Sequence, residues 1–115
     1  MSSAPRDLLV TGVVEIRTTF GSRAEASACG SRLVTGRLAA CVQVEGPVAS
    51  TYRWRAMVET AEEWRCLCKT TSARAAACIA AIVEHHPYET PQVTVAHVEA
   101  TAAYAAWVRE SVEAA

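Results

Sequence analysis

The chain has few large or aromatic side chains, and this limits the core that one copy can build. Among its 115 residues are one Phe, three Trp and three Tyr. Although 51% of the residues are hydrophobic, many of these are alanines, which cover surface without filling volume. A domain of this size has its own core, but a thin one. Association with further copies would stabilise it.

An excess of charge and long apolar runs are both absent. The net charge is −1 and the pI about 6.3, so no basic surface for nucleic acid or anionic membrane is expected. No stretch has the length of a signal peptide or a membrane span. The five cysteines are odd in number and include no Cys-x-x-Cys, which favours reduced thiols over a disulfide framework or a zinc ribbon. We therefore expect a cytoplasmic protein.

The signatures of common enzymes are also missing. There is no Gly-x-Ser-x-Gly nucleophile turn, no glycine-rich phosphate loop and no coherent nucleophile–base pair. The sequence thus predicts a protein that is not an enzyme and that requires no cofactor.

Hydrophobic periodicity predicts the order βαββαβ followed by a third helix. We expect a disordered tail over 1–8 and a single domain over 9–115. Predicted strands are 10–18, 38–54, 62–70 and 92–98, with a polar turn at 55–61. Predicted helices begin at the capping box of Ser22 and Glu25, at the cap Ser72, and at Thr101. This order is typical of a split-βαβ, ferredoxin-like α+β sandwich with two helices on one face of an antiparallel sheet.

The hairpin of the second and third strands is unusually long and carries Tyr52, Trp54 and Trp64. A bulge or bend is expected at Gly46-Pro47. Open strand edges and aromatic patches usually find a partner, so we expect an oligomer built through these strands. The third helix is predicted to turn Tyr104, Trp107, Val108 and Val112 inward.

Two adjacent histidines in "EHHPYETPQV" invite a metal-site interpretation. The apolar stripe of the second helix continues onto His86, whereas His85 lies about 100° further round. The pair therefore cannot be expected to chelate one ion together. His86 is either a partly buried imidazole hydrogen-bonded to a carboxylate or carbonyl, or a ligand-binding residue.

The cysteines leave a similar choice open. Cys66 and Cys68 lie on one face of a strand, roughly 6–7 Å apart, where two thiolates could hold a soft metal such as Cu(I). They can equally be small buried hydrophobes packed beside Trp64. The same two interpretations apply to Cys41.

Taken in order, several short segments make the chain resemble the CutA family of divalent-cation tolerance proteins. The resemblance covers about residues 10–112. The segments that carry it are Leu38-Ala39-Ala40-Cys41, Tyr52-Arg53-Trp54, Glu63, Cys68-Lys69-Thr70-Thr71, His85-His86-Pro87-Tyr88-Glu89-Thr90-Pro91, and Tyr104 with Trp107.

The resemblance implies a tight homotrimer that is similar to PII signalling proteins and responds to divalent metal ions. Copper binding by cysteine and histidine is ascribed to bacterial members, which makes His86 and Cys41 the candidate ligands for copper or another divalent cation. It also implies a ligand-binding cleft between subunits, formed by Trp54, Glu63, Lys69, His86 and Tyr88.

Three departures from the family pattern weaken the metal interpretation. Arg17 stands where some bacterial members carry a cysteine, and a cation there repels a metal. Ala56 replaces the glycine of the hairpin turn, and Gln92 replaces a glutamate. Two alternatives therefore stay open: a sensor of a small anionic metabolite met by Lys69, Arg17 and Arg65, and a structural trimer that docks another protein.

Overall fold

A computed structural model describes residues 8–113 and shows four strands and three helices. The strands are β1 (Leu9–Phe20), β2 (Cys41–Trp54), β3 (Met57–Thr71) and β4 (Thr94–Thr101), and the helices are α1 (Arg23–Thr35), α2 (Ser72–His85) and α3 (Ala102–Val112). Of the predicted tail, residues 1–7 lie outside the described part of the chain. No helix in the described range is long and apolar enough to cross a membrane.

The strands form one antiparallel sheet in the order β2-β3-β1-β4. The first strand therefore lies in the middle, between its partners β3 and β4, as in a ferredoxin-like fold. The predicted fold class is confirmed. Strands β2 and β4 form the two edges, and each has one side free of pairing within the described chain.

The first core lies between the sheet and the helices α1 and α2. Val14, Ile16 and Phe20 of β1 contribute to it, packed against Leu33 and Ile82 of the two helices. These side chains follow the period of two along the strand and the helical stripes that the sequence showed. All five are at most 3% exposed.

A second core covers one end of the opposite face of the sheet. There Val13 and Ala40 pack against Ala105, Val108 and Val112 of α3. Trp107 does not take the predicted inward position, since it is 46% exposed. It packs against Tyr104 instead, with ring centroids 5.7 Å apart. Ala105, and not Trp107, is buried against the sheet.

The turn of the long hairpin is shorter than predicted. Residues 55–61 read as a polar turn, but β2 and β3 pair as far as Trp54 and Met57, leaving only Arg55 and Ala56 between them. Both turn residues have positive φ, +50° and +67°, as a type I′ hairpin turn requires. The prediction was wrong because neither turn residue is a glycine or an asparagine, so the true turn had no distinguishing signal.

The caps and the predicted bulge have mixed outcomes. Ser22 caps α1 as predicted, accepting a hydrogen bond from the Glu25 amide at 3.1 Å. The cap of α2 is Thr71, one residue before the predicted Ser72, because the Thr71 hydroxyl accepts from the Arg74 amide. The pairing of β2 with β3 shifts between Glu45 and Val48, which confirms the irregularity at Gly46-Pro47.

Candidate functional site

A cavity of about 600 Å³ opens beside the long hairpin, on the face of the sheet that α3 covers only at its other end. Alternate residues of β2 and β3 line it, because side chains two apart on a strand share a face. The loop between α2 and β4 forms the opposite wall. The lining residues are Thr19, Ser50, Tyr52, Arg53, Trp54, Glu59, Glu63, Tyr88, Glu89, Thr90 and Gln92.

His86 fixes the start of that loop. Its ring stacks on Phe20 with the centroids 4.3 Å apart. Its Nε2 lies 2.8 Å from the Thr19 carbonyl oxygen, and its Nδ1 accepts a hydrogen bond from the Tyr88 amide at 3.1 Å. Since a carbonyl can only accept, Nε2 carries the proton. Both ring nitrogens are thus engaged, and the bond to the Thr19 carbonyl is of the kind that the partly buried interpretation of His86 expected.

Burial lowers the pKa of His86, against smaller opposing effects of the Thr19 carbonyl and of the carboxylates of Glu25 and Glu63. The imidazole is therefore neutral near pH 7. A neutral ring that donates to one backbone group and accepts from another ties the loop to the end of β1. In this arrangement its only lone pair in the ring plane, on Nδ1, already accepts from the Tyr88 amide.

Tyr88 and Glu63 meet inside the cavity. The Tyr88 hydroxyl donates a hydrogen bond to Glu63 Oε2 at 2.9 Å. Burial raises the pKa of Tyr88, and the Glu63 carboxylate raises it further, so the hydroxyl keeps its proton. Glu63 is only 9% exposed although it bears an ionisable group. The structure thus brings these two predicted cleft residues into direct contact.

Trp54 lies in the same cavity, at the rim. The neighbouring Arg55 guanidinium is 5.4 Å from the centroid of its ring. Arg55 also donates to Glu89 at 3.0 Å, which links the tip of the hairpin to the loop after α2. Both side chains of this ion pair are about two-thirds exposed or more, at 71% and 68%.

Lys69 and Cys41 lie elsewhere. In the strand register Cys41 pairs with Lys69, which pairs in turn with Glu15. Lys69 follows Glu63 by six residues on β3, or about 20 Å at the usual rise per residue. Its ammonium lies 5.6 Å from the ring centroid of Tyr104 on α3. One chain therefore does not bring Lys69 into the cavity, nor Cys41 beside His86.

The remaining cysteines are part of the first core. Cys29, Cys66, Cys68 and Cys78 are at most 3% exposed. A hydrogen bond to Cys78 and burial raise the pKa of the Cys68 thiol, and a hydrogen bond to Cys29 and burial do the same for Cys66. Across residues 8–113, no three His, Cys, Asp or Glu side chains converge as a metal site would require. The thiols of Cys66 and Cys68 thus match the buried-hydrophobe interpretation.

Comparison with known families shows to which protein family the chain belongs. A family model described as CutA1 divalent ion tolerance protein matches residues 14–111. The chain belongs to the CutA family.

Other CutA proteins are similar along almost the whole length. The divalent-cation tolerance protein CutA of Salmonella newport is 28% identical over 107 residues, which are 92% of this chain and 93% of that protein. The solved structure of CutA from Xylella fastidiosa is 31% identical, with a TM-score of 0.86 over 89% of this chain and 99% of that one. CutA from Synechococcus elongatus is 29% identical, with a TM-score of 0.85 over 91% and 96%.

Several residues of the cavity in this CutA chain were not predicted from its sequence. Thr19 contributes a backbone carbonyl, which leaves no mark on the residue type. Glu59 and Tyr52 face each other across the hairpin, and the Tyr52 hydroxyl lies 3.5 Å from Glu59 Oε2. The period of two from Glu63 would have found Glu59, had residues 57–61 been assigned to the strand and not to the turn.

Proposed function

We propose that this chain acts as a homotrimer in the tolerance of divalent cations, by binding and not by catalysis. The observation that carries the proposal is the family match over residues 14–111, together with CutA relatives that are named for divalent-cation tolerance. The absence of a nucleophile–base pair from the sequence motifs is in keeping with a binding role.

Assembly is supported by the surfaces that one copy leaves open. The edges β2 and β4 each present an unpaired strand side within the described sheet. Met57 and Val58 near the hairpin tip, Val95 on β4 and Trp107 on α3 are 42–65% exposed. Unpaired strand edges and exposed apolar side chains are both usual components of an interface between copies.

The assembly is tested by light scattering on the purified chain at micromolar concentration. The expected mass is three times that of the 12.3 kDa chain. A monomer at that concentration contradicts the proposal. A charge placed on the free edge, Val95→Lys, is expected to shift the equilibrium toward smaller species, whereas the same change at the exposed Val34 of α1 is not.

Copper is the cation we propose first, with His86 and Cys41 as its ligands. Imidazole and thiolate suit copper, and Cys41 is partly exposed while the other four cysteines are buried. Because one chain holds these residues apart, a complete site requires donors from more than one copy. Binding by His86 also requires its ring to exchange the hydrogen bond from the Tyr88 amide for the metal.

Calorimetric titration of Cu(II) into the wild type, His86→Ala and Cys41→Ser tests the two ligands separately. We expect each substitution to weaken the tightest binding event. His85→Ala is the matched control, because it removes an exposed imidazole one residue away. Equal affinity in all four proteins contradicts both ligand assignments. Titrations of Zn²⁺ and Mn²⁺ then test whether the chain binds other divalent cations.

A further inference from the structure

The cavity beside the hairpin contains a carboxylate that forms no ion pair within residues 8–113. Glu63 is 9% exposed, and one of its oxygens accepts a hydrogen bond from the neutral Tyr88 hydroxyl. Among the ion pairs of residues 8–113, none includes Glu63. A buried carboxylate loses hydration that one neutral hydrogen bond only partly replaces. A cation placed in the cavity would stabilise this group.

Aromatic rings form much of the cavity wall around that carboxylate. Tyr52, Trp54 and Tyr88 line it and keep 41%, 36% and 36% of their surface exposed. The face of an aromatic ring attracts a cation within about 6 Å of its centroid. The Arg55 guanidinium already occupies such a position over Trp54. Rings and carboxylate together are the groups that recognise organic cations.

The size and charge of the cavity narrow the class of ligand. Its volume of about 600 Å³ is that of a site for an organic molecule and far exceeds a bare metal ion. Three carboxylates and one guanidinium line it, which disfavours an anion. Glu59 lies on the same face of β3 as Glu63, four residues away, or about 13 Å along the strand.

We propose that this cavity binds an aliphatic di- or polyamine. One ammonium group donates hydrogen bonds to Glu63, the hydrocarbon chain lies along the rings of Tyr52 and Trp54, and a second ammonium group reaches Glu59. Tyr88 orients the Glu63 carboxylate from the other side. This binding goes beyond the role in divalent-cation tolerance. Within one chain Cys41, Lys69 and His86 are all absent from the lining of the cavity.

Calorimetric titration of the purified full-length protein in its native oligomeric state tests the proposal. The probes are spermidine, putrescine and butylamine, with NaCl at matched ionic strength to measure the effect of ionic strength alone. We expect spermidine to bind more tightly than putrescine, and butylamine to bind most weakly. Glu63→Gln should weaken spermidine binding at least about ten-fold, because it removes a charged acceptor. Glu62→Gln is the matched control: it changes the net charge equally, but its side chain is exposed and absent from the cavity lining.

A second variant keeps the test decisive if Glu63→Gln fails to fold. Trp54→Leu removes an exposed ring and should weaken spermidine binding about three-fold. Val34→Ala, an apolar change at an exposed position of α1 outside the cavity, should leave it unchanged. The proposal is overturned if no amine binds the wild type, if butylamine binds as tightly as spermidine, or if the cavity variants bind spermidine like their controls. Loss of the oligomer in Glu63→Gln without amine binding by the wild type would assign the missing cation to a second copy and overturn it as well.

Discussion

The Tyr88 hydroxyl donates a 2.9 Å hydrogen bond to the nearly buried carboxylate of Glu63. The two residues are 25 positions apart in the chain, one in the loop after α2 and the other in the middle of β3. Their contact joins the two walls of the cavity. This hydrogen bond also replaces part of the hydration that the Glu63 carboxylate loses on folding.

Tyr88→Phe should lower the free energy of unfolding by about 1 kcal/mol, because it leaves a buried carboxylate without its donor. The estimate is near the lower end of the range for charged acceptors, since Tyr88 is itself 36% exposed and water can partly replace it. Urea unfolding at constant protein concentration measures the change. Tyr52→Phe is the control, because its 3.5 Å contact to Glu59 is long and exposed. A Tyr88→Phe protein as stable as the wild type would show that the bond contributes nothing net.

Ala56→Gly should stabilise the chain by about 1 kcal/mol. Ala56 has a φ of +67°, where an L side chain with a Cβ is strained and glycine is not. Part of the gain is offset by the larger conformational entropy of glycine in the unfolded chain. Thermal unfolding measures the shift, with Ala61→Gly in β3 as the control that should destabilise. A lower midpoint for Ala56→Gly would contradict the strain at this turn.

Gly46→Ala should destabilise the chain by about 1–3 kcal/mol through overpacking. A Cβ at Gly46 would lie 2.6 Å from Trp64 Cδ1 and 3.0 Å from the Glu63 carbonyl oxygen. Gly12→Ala is the comparison, since a Cβ there meets no atom within 4 Å and only its φ of +109° is unfavourable.

A double-mutant cycle separates the clash at Gly46 from its backbone effect. If the indole is the obstacle, Gly46→Ala in a Trp64→Leu background should cost clearly less than in the wild type. An equal cost in both backgrounds would assign the effect to the backbone conformation and to the contact with the Glu63 carbonyl.

Stability should fall as the pH is lowered through the ordinary pKa of histidine. Burial depresses the pKa of His86 in the folded state below 6.5, so the unfolded chain takes up a proton first. The stabilisation is fully present above about pH 6.5, is lost as the pH falls toward the folded-state pKa, and changes no further below it. Urea unfolding between pH 8 and pH 5 should show this loss in the wild type and in His85→Gln, and a smaller loss in His86→Gln. The same slope in all three would exclude His86 as the source.

Much of the fold could be predicted from patterns within single elements. The alternation around Val14 and Ile16, the capping box at Ser22 and the apolar stripe of α2 each depend on neighbours a few residues apart. The hairpin turn could not, because Arg55 and Ala56 adopt positive φ without the residues that usually reveal it. Because residues 55–61 were assigned to a turn, Glu59 was not recognised as a residue on the same face of β3 as Glu63.

The candidate site could be predicted only where its contacts are made by side chains and not by the backbone. Glu63, Tyr88 and Trp54 meet at one cavity as the family resemblance implied, although their role in binding stays a prediction. The placement of Lys69 came from the resemblance alone, and the spacing on β3 separates it from Glu63. The His86 ring bonds to the Thr19 carbonyl and the Tyr88 amide, and backbone partners of this kind leave no signature in a sequence.

The ion pair between Arg55 and Glu89 has a consequence for entry to the cavity. It holds the hairpin tip against the opposite loop through two exposed side chains, so dissolved ions weaken it readily. We expect the pair to contribute most to this contact at low ionic strength and less when salt is added. The salt content of the solvent is thus expected to influence the width of the cavity mouth, independently of what lies inside it.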